Sequence, residues 1–305
     1  MKSIGNTPLI KLEKLSEPGC ADIYVKYEGA NPTGSMKDRM AFSMIEGAER
    51  RGDLKPGGTV VDYTGGSTGS SLAMVCATKG YRAVFVSSDA FAAEKLQTMR
   101  AFGATLEIFP SDGGKITAGL IDSMIARAKE LSKEPNTFWT DQFNNVDNRS
   151  AYHQMAREIM NVLGKNINEF IMGVGTGGSF SGNAEVFKQE IPGVRCIPIE
   201  PLHVRALSGG DVSGKHKLEG IGSGFVPAIC RLDLADEIMQ VSDEDAYETA
   251  RKLARQEGIF GGTTAGANVY AAIQRARKIG SGKTIVTIIP DSGLKYLNGD
   301  LYKQQ

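Results

Sequence analysis

Lys37 stands in the run Asn31-Pro32-Thr33-Gly34-Ser35-Met36-Lys37-Asp38-Arg39, at the start of an expected helix and behind a Pro/Gly turn. A lysine held in this way and drawn out of water can lose its proton near neutral pH and attack a carbonyl. The same residues also read as an ordinary helix start, with Ser35 as N-cap, Asp38 in a capping-box role and Lys37 solvated. Three glycine-rich turns elsewhere could hold anions. Thr64-Gly65-Gly66-Ser67-Thr68-Gly69 follows Val60-Val61-Asp62-Tyr63 and offers hydroxyls and bare amides at a helix N-terminus, suited to a carboxylate or phosphate. Gly173-Val174-Gly175-Thr176-Gly177-Gly178-Ser179 lets close-spaced backbone N–H groups converge on one anion, with Thr176 and Ser179 adding hydroxyls. Gly261-Gly262-Thr263-Thr264-Ala265-Gly266-Ala267 precedes another helix. Gly173, Gly175 and Gly178 also satisfy the dinucleotide pattern G-x-G-x-x-G, with Glu200 at the right distance for a ribose. Against that reading, the mid-chain hydroxyl-and-glycine loop suits a terminal phosphate better than a bridging one, and hydride transfer has no use for a positioned amine. A cofactor with one aldehyde and one phosphate uses both.

These turns need strands to end on and helices to begin. Apolar β-branched runs at 59–63, 82–87, 105–109, 169–174, 195–200 and 284–289 alternate with amphipathic stretches at 38–51, 68–79, 93–102, 116–133, 151–163, 243–257 and 265–278. Near-continuously apolar strands alternating with helices predict an α/β fold of parallel sheets covered on both faces. The length of 305 residues fits two such units, split near 141–150, better than one very wide sheet. The stretch 202–232 is rich in glycine and weakly periodic, so it is expected to be irregular.

Charge is balanced, with 35 basic and 35 acidic side chains, which gives no ground for a nucleic-acid or acidic-membrane partner. No apolar run approaches the roughly 18 residues of a membrane span, and the opening Met1-Lys2-Ser3-Ile4-Gly5-Asn6 is no signal peptide. Cys20, Cys76, Cys196 and Cys230 are scattered, and Cys76 lies on the apolar stripe of Leu72 and Val75. None of His153, His203 and His216 has a partner at metal-ligand spacing. A cytoplasmic protein with neither disulfide framework nor metal site is expected.

The ordered signatures Ile4-Gly5-Asn6-Thr7-Pro8-Leu9, the Lys37 run, Gly175-Thr176-Gly177-Gly178-Ser179, His216-Lys217-Leu218-Glu219-Gly220-Ile221-Gly222-Ser223-Gly224-Phe225-Val226-Pro227 and Pro290-Asp291-Ser292-Gly293 resemble those of cysteine synthase. That enzyme, O-acetylserine sulfhydrylase, belongs with cystathionine β-synthase to the fold-type II pyridoxal-phosphate enzymes. The resemblance runs from 4 to about 297. It implies a smaller, movable domain over 35–145 with the substrate-carboxylate loop, and a larger cofactor-binding domain from 1–34 plus 146–305. Each is a mostly parallel twisted sheet flanked by helices. Residue by residue, it implies that Lys37 forms the Schiff base with pyridoxal phosphate. It further implies that Gly175, Thr176, Gly177, Gly178 and Ser179 hold the phosphate, and that Ser292 meets the pyridine nitrogen, with Asp291 an open alternative. Ser67 stands at the position that contacts the ring hydroxyl. Thr64, Thr68 and Gln142 are implied to receive the substrate carboxylate. A homodimer is implied as well.

The chemistry so implied is β-replacement: loss of a leaving group from an activated serine such as O-acetylserine gives an enzyme-bound aminoacrylate, to which sulfide or another nucleophile adds. Lys37 is the natural base for the α-proton. The alternative is a serine/threonine dehydratase-like elimination to a keto acid and ammonia. A cofactor-bearing binding protein and a dinucleotide enzyme are more distant readings. The chain departs from the family's Thr-Ser-Gly-Asn-Thr-Gly at Gly65 and Ser67, from its Ser-Ser-Gly at Thr264-Ala265-Gly266, and from its Thr-Thr-Gly-Pro before Glu158-Ile159. These changes lead us to expect an altered substrate. The motifs nearest the C-terminus lead us to expect no appended regulatory domain.

Overall fold

The computed structural model describes residues 1–114 and 118–303. Its strands are β1 (Leu9–Lys11), β2 (Asp22–Tyr27), β3 (Thr59–Tyr63), β4 (Arg82–Ser88), β5 (Thr105–Phe109), β6 (Thr137–Trp139), β7 (Glu169–Gly173), β8 (Arg195–Pro201), β9 (Met239–Val241) and β10 (Thr284–Ile289). Its helices are α1 (Lys37–Arg51), α2 (Ser67–Lys79), α3 (Ala93–Ala101), α4 (Ala118–Leu131), α5 (Val146–Ser150), α6 (His153–Leu163), α7 (Gly178–Glu190), α8 (Asp243–Lys252) and α9 (Thr263–Ile279). The chain divides into two compact units. One holds Met1 and Lys37–Asn148; the other holds Lys2–Met36 and everything from Arg149 on. The α/β expectation holds in both.

In the first unit the sheet order is β5-β4-β3-β6 and every pairing is parallel, with Val61 opposite Val84 and Val84 opposite Thr105. Val60 and Val61 of β3 are buried, as are Leu72, Val75 and Cys76 along α2, so the Cys76 stripe does pack into the core. Burial pushes that thiol up to about 12. On the other side, Val86, Met124 and Ala128 form a cluster joined by Tyr63, Phe91 and Trp139.

In the second unit the order is β1-β2-β10-β7-β8-β9, with β1 antiparallel at the edge and the rest parallel. β7 and β10 are buried along their whole length, the pattern of parallel strands covered on both faces. A buried carboxylate on β7, Glu169, is held by the Arg275 guanidinium of α9 through Nε at 2.8 Å and Nη2 at 2.5 Å. Such a fork satisfies both charges where water cannot.

β1, β2, β6, β9, α5 and α7 were not expected from the sequence, and their chemistry shows why. β2 reads Asp-Ile-Tyr-Val-Lys-Tyr; Ile23 and Val25 are fully buried, but so nearly is Lys26. The Lys26 ammonium bonds Glu158 at 2.7 Å and the Thr7 carbonyl at 2.7 Å, and so a charged residue sits where the pattern forbids one. α7 opens Gly-Ser-Phe-Ser-Gly, which reads as loop. Gly182 is required there because a Cβ would strike the Arg149 carbonyl, while Phe180 and Phe187 pack on Phe170 with ring centroids 6.3 and 5.1 Å away. The stretch 202–232 holds no strand or α-helix among its residues. Of the helix expected over 116–133, residues 116 and 117 lie outside the described residues, as do 304 and 305 of the expected larger domain.

Candidate active site

The turn before Lys37 is anchored by a buried acid. Glu28 accepts from the Thr7 hydroxyl at 2.6 Å and from Asn31 Nδ2 at 2.8 Å, and Asn31 Oδ1 accepts from the Gly5 amide at 2.9 Å. Gly34, at φ +70°, follows in a conformation that favours glycine. The next residues then run beside the end of β10. The Ser292 amide donates to the Gly34 carbonyl at 2.9 Å and the Met36 amide to the Pro290 carbonyl at 2.8 Å, with Ser35 and Asp291 bridged antiparallel. The buried Tyr152 hydroxyl donates to the Met36 carbonyl at 3.4 Å. Lys37 is the next residue and the first of α1, so the N-cap position falls on Met36 rather than Ser35. Asp38 is fully buried and accepts from the Ser71 hydroxyl of α2 at 2.6 Å. Lys37 is thus the residue at which a backbone pinned on three sides becomes a helix, which a solvated helix-start lysine does not need.

The second glycine turn is a cradle closed from behind. A Cβ at Gly173 would meet Ile221 at 2.8 Å, one at Gly175 would overlap the Gly220 carbonyl, and one at Gly177, itself at φ +82°, would come within 2.5 Å of Cys230 Cβ. The Gly222 amide donates to the Val174 carbonyl at 3.1 Å and the Ser223 hydroxyl to the Gly175 carbonyl at 3.3 Å. The motif at 216–227 therefore braces the loop, and His216 braces the motif. Its Nδ1 accepts from the Leu218 amide at 3.1 Å, leaving Nε2–H for the Gly222 carbonyl at 3.2 Å. Helix α7 begins at Gly178, so its first-turn amides have no intrahelical acceptor and carry the positive end of the helix dipole. Thr176 and Ser179 are buried at 7% and 6% exposure. Asn268 fixes the strand beneath, accepting from the Gly173 amide at 2.7 Å and donating to the Ile288 carbonyl at 2.8 Å. Nothing in the motif pattern marks this asparagine, which lies mid-helix in α9.

Glu200, the residue that would bind a ribose in the dinucleotide reading, is committed elsewhere. It accepts from the Leu207 amide at 2.7 Å, the Ser208 hydroxyl at 2.5 Å and Gln240 Nε2 at 3.0 Å, holding the irregular stretch in place. The third glycine turn is also internal. Thr263 Oγ1 accepts from the Glu219 amide at 3.0 Å and Thr264 Oγ1 donates to the Glu219 carbonyl at 2.7 Å. Ala265 is fully buried and Gly266 lies on the Ala246 carbonyl. The Ala265 departure is therefore a packing change in the core.

At the end of β10, the Asp291 carboxylate accepts from the Tyr296 hydroxyl at 2.7 Å, and burial beside it raises that phenol well above its ordinary value. Ser292 Oγ accepts only a long bond from the Leu294 amide at 3.3 Å, which leaves its hydroxyl proton available.

The first glycine turn belongs wholly to the unit that contains Lys37. Thr64 Oγ1 accepts from the amides of Gly66 at 3.2 Å and Gly69 at 3.0 Å, so it caps α2. Thr68 Oγ1 donates to Gln142 Oε1 at 2.9 Å, and Gln142 is steadied by Asn148, which donates to its carbonyl at 2.7 Å. Ser67 is the first residue of α2. Thr68 and Gln142 are thus brought together, and Thr64 shapes the loop that leads to Thr68. A Cβ at Gly65 would lie 2.5–2.9 Å from three ring atoms of Phe91, and one at Gly66 would lie 2.5 Å from Lys95 Cδ. From the sequence, Gly65 reads only as a departure from the family's serine; the Phe91 and Lys95 side chains that crowd the two glycines emerge from the fold. Below the loop, Asp62 is buried and accepts from the Thr140 hydroxyl, from Trp139 Nε1 at 3.2 Å and from the Tyr63 amide at 2.9 Å. Burial pushes its carboxyl up to about 7 against these donors.

Among the described residues no helix is long and apolar enough to cross a membrane, and no group of three or more His, Cys, Asp or Glu could hold a metal ion. Comparison with known proteins gives a consistent result. The profile described as "Pyridoxal-phosphate dependent enzyme" matches residues 1–291. The chain is 43% identical over 302 residues to a cysteine synthase of Staphylococcus aureus, covering 98% of this chain and 95% of that one. It superposes on cysteine synthase (OASS) of Entamoeba histolytica with a TM-score of 0.94 at 34% identity, covering 100% and 90% of the two chains. On an O-acetylserine dependent cystathionine beta-synthase of Helicobacter pylori the TM-score is 0.91 at 35% identity, covering 99% and 97%.

Proposed function

The chain belongs to the pyridoxal-phosphate dependent enzymes, and we propose that Lys37, Ser67, Gly175, Thr176, Gly177, Gly178, Ser179 and Ser292 hold its cofactor while Thr64, Thr68 and Gln142 serve the substrate's carboxylate. It is a β-substituting enzyme of the cysteine synthase type that acts on an activated serine; dehydratase-like elimination is not favoured. The observation that carries the residue assignment is the backbone pairing of 34–36 with 290–292. It ties the residue before Lys37 to the strand end that carries Ser292.

The residues present fit the cofactor. The cradle at 175–179 has no room for side chains behind it and offers orphan amides and buried hydroxyls in front, as a phosphate requires. Pyridoxal phosphate, when bound, supplies the electron sink that makes an amino acid's α-hydrogen acidic and lets its β-substituent leave. Lys37 would hold the cofactor's aldehyde end, and its Nζ would accept the substrate's α-proton. Ser292 would donate its hydroxyl to the ring nitrogen. A hydroxyl cannot keep that nitrogen protonated as a carboxylate would, which favours expulsion of a β-group over prolonged charge at the α-carbon. The Tyr296 hydroxyl binds one oxygen, Oδ2, of the Asp291 carboxylate. Thr68 and Gln142, locked to one another, fix where the carboxylate sits and hence which bond faces Lys37.

The activities of the relatives support O-acetylserine as the donor to try first, with sulfide as nucleophile. Supplied with both, the enzyme is expected to form cysteine, with little keto acid when sulfide is withheld. Keto acid and ammonia as the main products in the presence of sulfide would contradict the reading. We further propose a cytoplasmic homodimer. Four unpaired cysteines support the compartment, and a single species of twice the 32.7 kDa chain mass in light scattering would support the dimer.

A further inference from the structure

The chain's single tryptophan lies against a buried acid under the substrate loop. Asp62 is 2% exposed. Its Oδ1 accepts from Trp139 Nε1 of β6 at 3.2 Å and from the Tyr63 amide at 2.9 Å, and its Oδ2 accepts from the Thr140 hydroxyl. Asp62 therefore stands at the root of both limbs of the site. Thr64 lies two residues beyond Asp62 and Gln142 two beyond Thr140, so each limb spans at most about 7 Å. Above that root the limbs are joined again, by Gln142 Nε2 donating to the Tyr63 carbonyl at 3.4 Å and by Thr68 Oγ1 donating to Gln142 Oε1 at 2.9 Å. Between Thr140 and Gln142, Asp141 holds φ +44°, a conformation that persists where its neighbours are fixed on both sides.

This geometry survives a change of charge. The two N–H donors keep Oδ1, and the Thr140 hydroxyl, which can accept as well as donate, keeps Oδ2 when that oxygen carries a proton. The field does change, because two anions this close in a poorly solvated region repel one another. Around Asp62, Asp141 adds repulsion. Burial pushes the Tyr63 phenol and the Cys76 thiol of α2 up to about 12, so both stay neutral near pH 7. Helix α4 turns Met124 and Ala128 inward, and its Arg127 is paired with Glu107 and Glu130. On β4, Arg82 lies at the far end, opposite Thr59.

We propose that Asp62 is a positioning residue that makes binding of the substrate's α-carboxylate depend on a proton: the site takes the anion with Asp62 neutral and resists it with Asp62 ionised. This deepens, and rests on, the reading of Thr64, Thr68 and Gln142 as the carboxylate's partners. Burial pushes the Asp62 carboxyl up to about 7, which brings the change within the working range of pH.

The test follows the one indole N–H resonance, that of Trp139, with pH in wild-type holoenzyme, alone and saturated with L-alanine or with L-alaninamide. Alone, the resonance should show an inflection near 7 that Asp62→Asn lacks. L-Alanine should move the inflection to higher pH, and L-alaninamide, which has no carboxylate, should leave it in place. By linkage, affinity for L-alanine, read from the bound cofactor's absorbance, should fall from pH 5 to pH 9 about 3- to 30-fold more in wild type than in Asp62→Asn. An inflection that L-alanine leaves in place, one that L-alaninamide moves as far, or no inflection in wild type overturns the proposal. Gln142→Ala separates it from the reading beneath. Unchanged affinity for L-alanine in that variant overturns the carboxylate reading itself; affinity lost there, with the wild-type inflection unmoved by L-alanine, overturns the role of Asp62 alone.

Discussion

Two acids and a serine show how much a single group's surroundings decide. Asp62 has an ordinary value of 3.8 when exposed and about 7 when folded. Between those values the folded chain keeps a proton that the unfolded chain releases. Stability from this group is therefore full below 3.8, falls as pH rises to about 7 and is flat above, by at most on the order of 4 kcal/mol. Asp62→Asn cannot titrate, so the drop in unfolding free energy between pH 5 and pH 8 should be smaller in the variant than in wild type, read by urea titration at each pH. An equal drop would show that Asp62 is ionised throughout. At the end of β10, the partners of Asp291 and Ser292 predict opposite outcomes. Ser292→Ala should shift the cofactor's absorbance and lower kcat roughly 10- to 100-fold. Asp291→Asn, which weakens the bond to Tyr296, should cost about 1–2 kcal/mol of stability and leave the absorbance in place. The reverse pattern would assign the ring nitrogen to Asp291.

Elements position these groups through what their glycines make room for. Gly65 departs from the family's serine because the Phe91 ring occupies the space. Gly65→Ser should therefore weaken substrate binding rather than restore a lost hydroxyl contact, at a cost of about 1–3 kcal/mol. Adding Phe91→Ala should recover part of it in KM for O-acetylserine; a Gly65→Ser enzyme that binds better than wild type would refute the steric account. The same loop marks how far the sequence could be read. Apolar runs revealed β3, β4, β5, β7, β8 and β10, and the glycine turns at their ends. α7 stayed hidden because the glycines and serines of a phosphate cradle are poor helix formers. β2 stayed hidden because Lys26 is neutralised by Glu158, which lies far along the chain. Phe91, Lys95 and Asn268 are ordinary helix or loop residues until the fold brings them against a glycine turn. The motif residues were legible; their supports depend on tertiary packing and were not.

For the whole molecule, the balance of stability and chemistry rests on buried charges that must stay paired. Arg275 and Glu169 are each 2% exposed, so Arg275→Met, which leaves Glu169 only the longer contact to Arg195 at 3.7 Å, should destabilise the unit that bears the phosphate cradle by about 3 kcal/mol, read as a lowered urea midpoint. The sequence showed the cofactor class through motifs spread along the chain, and the fold explains their order. The Lys37 turn is fixed by the strand end that carries Ser292, and the 216–227 motif is the back wall of the 175–179 cradle. The substrate loop packs against Phe91 and Lys95, residues that none of these motifs includes. The most direct test of the account is the visible absorbance of purified holoenzyme, wild type and Lys37→Ala, on adding O-acetylserine and then sulfide. Wild type should change on the first addition and return on the second as cysteine forms, while Lys37→Ala loses turnover by about 1,000-fold or more. Turnover at the wild-type rate in Lys37→Ala, or a wild-type spectrum indifferent to O-acetylserine, would contradict it.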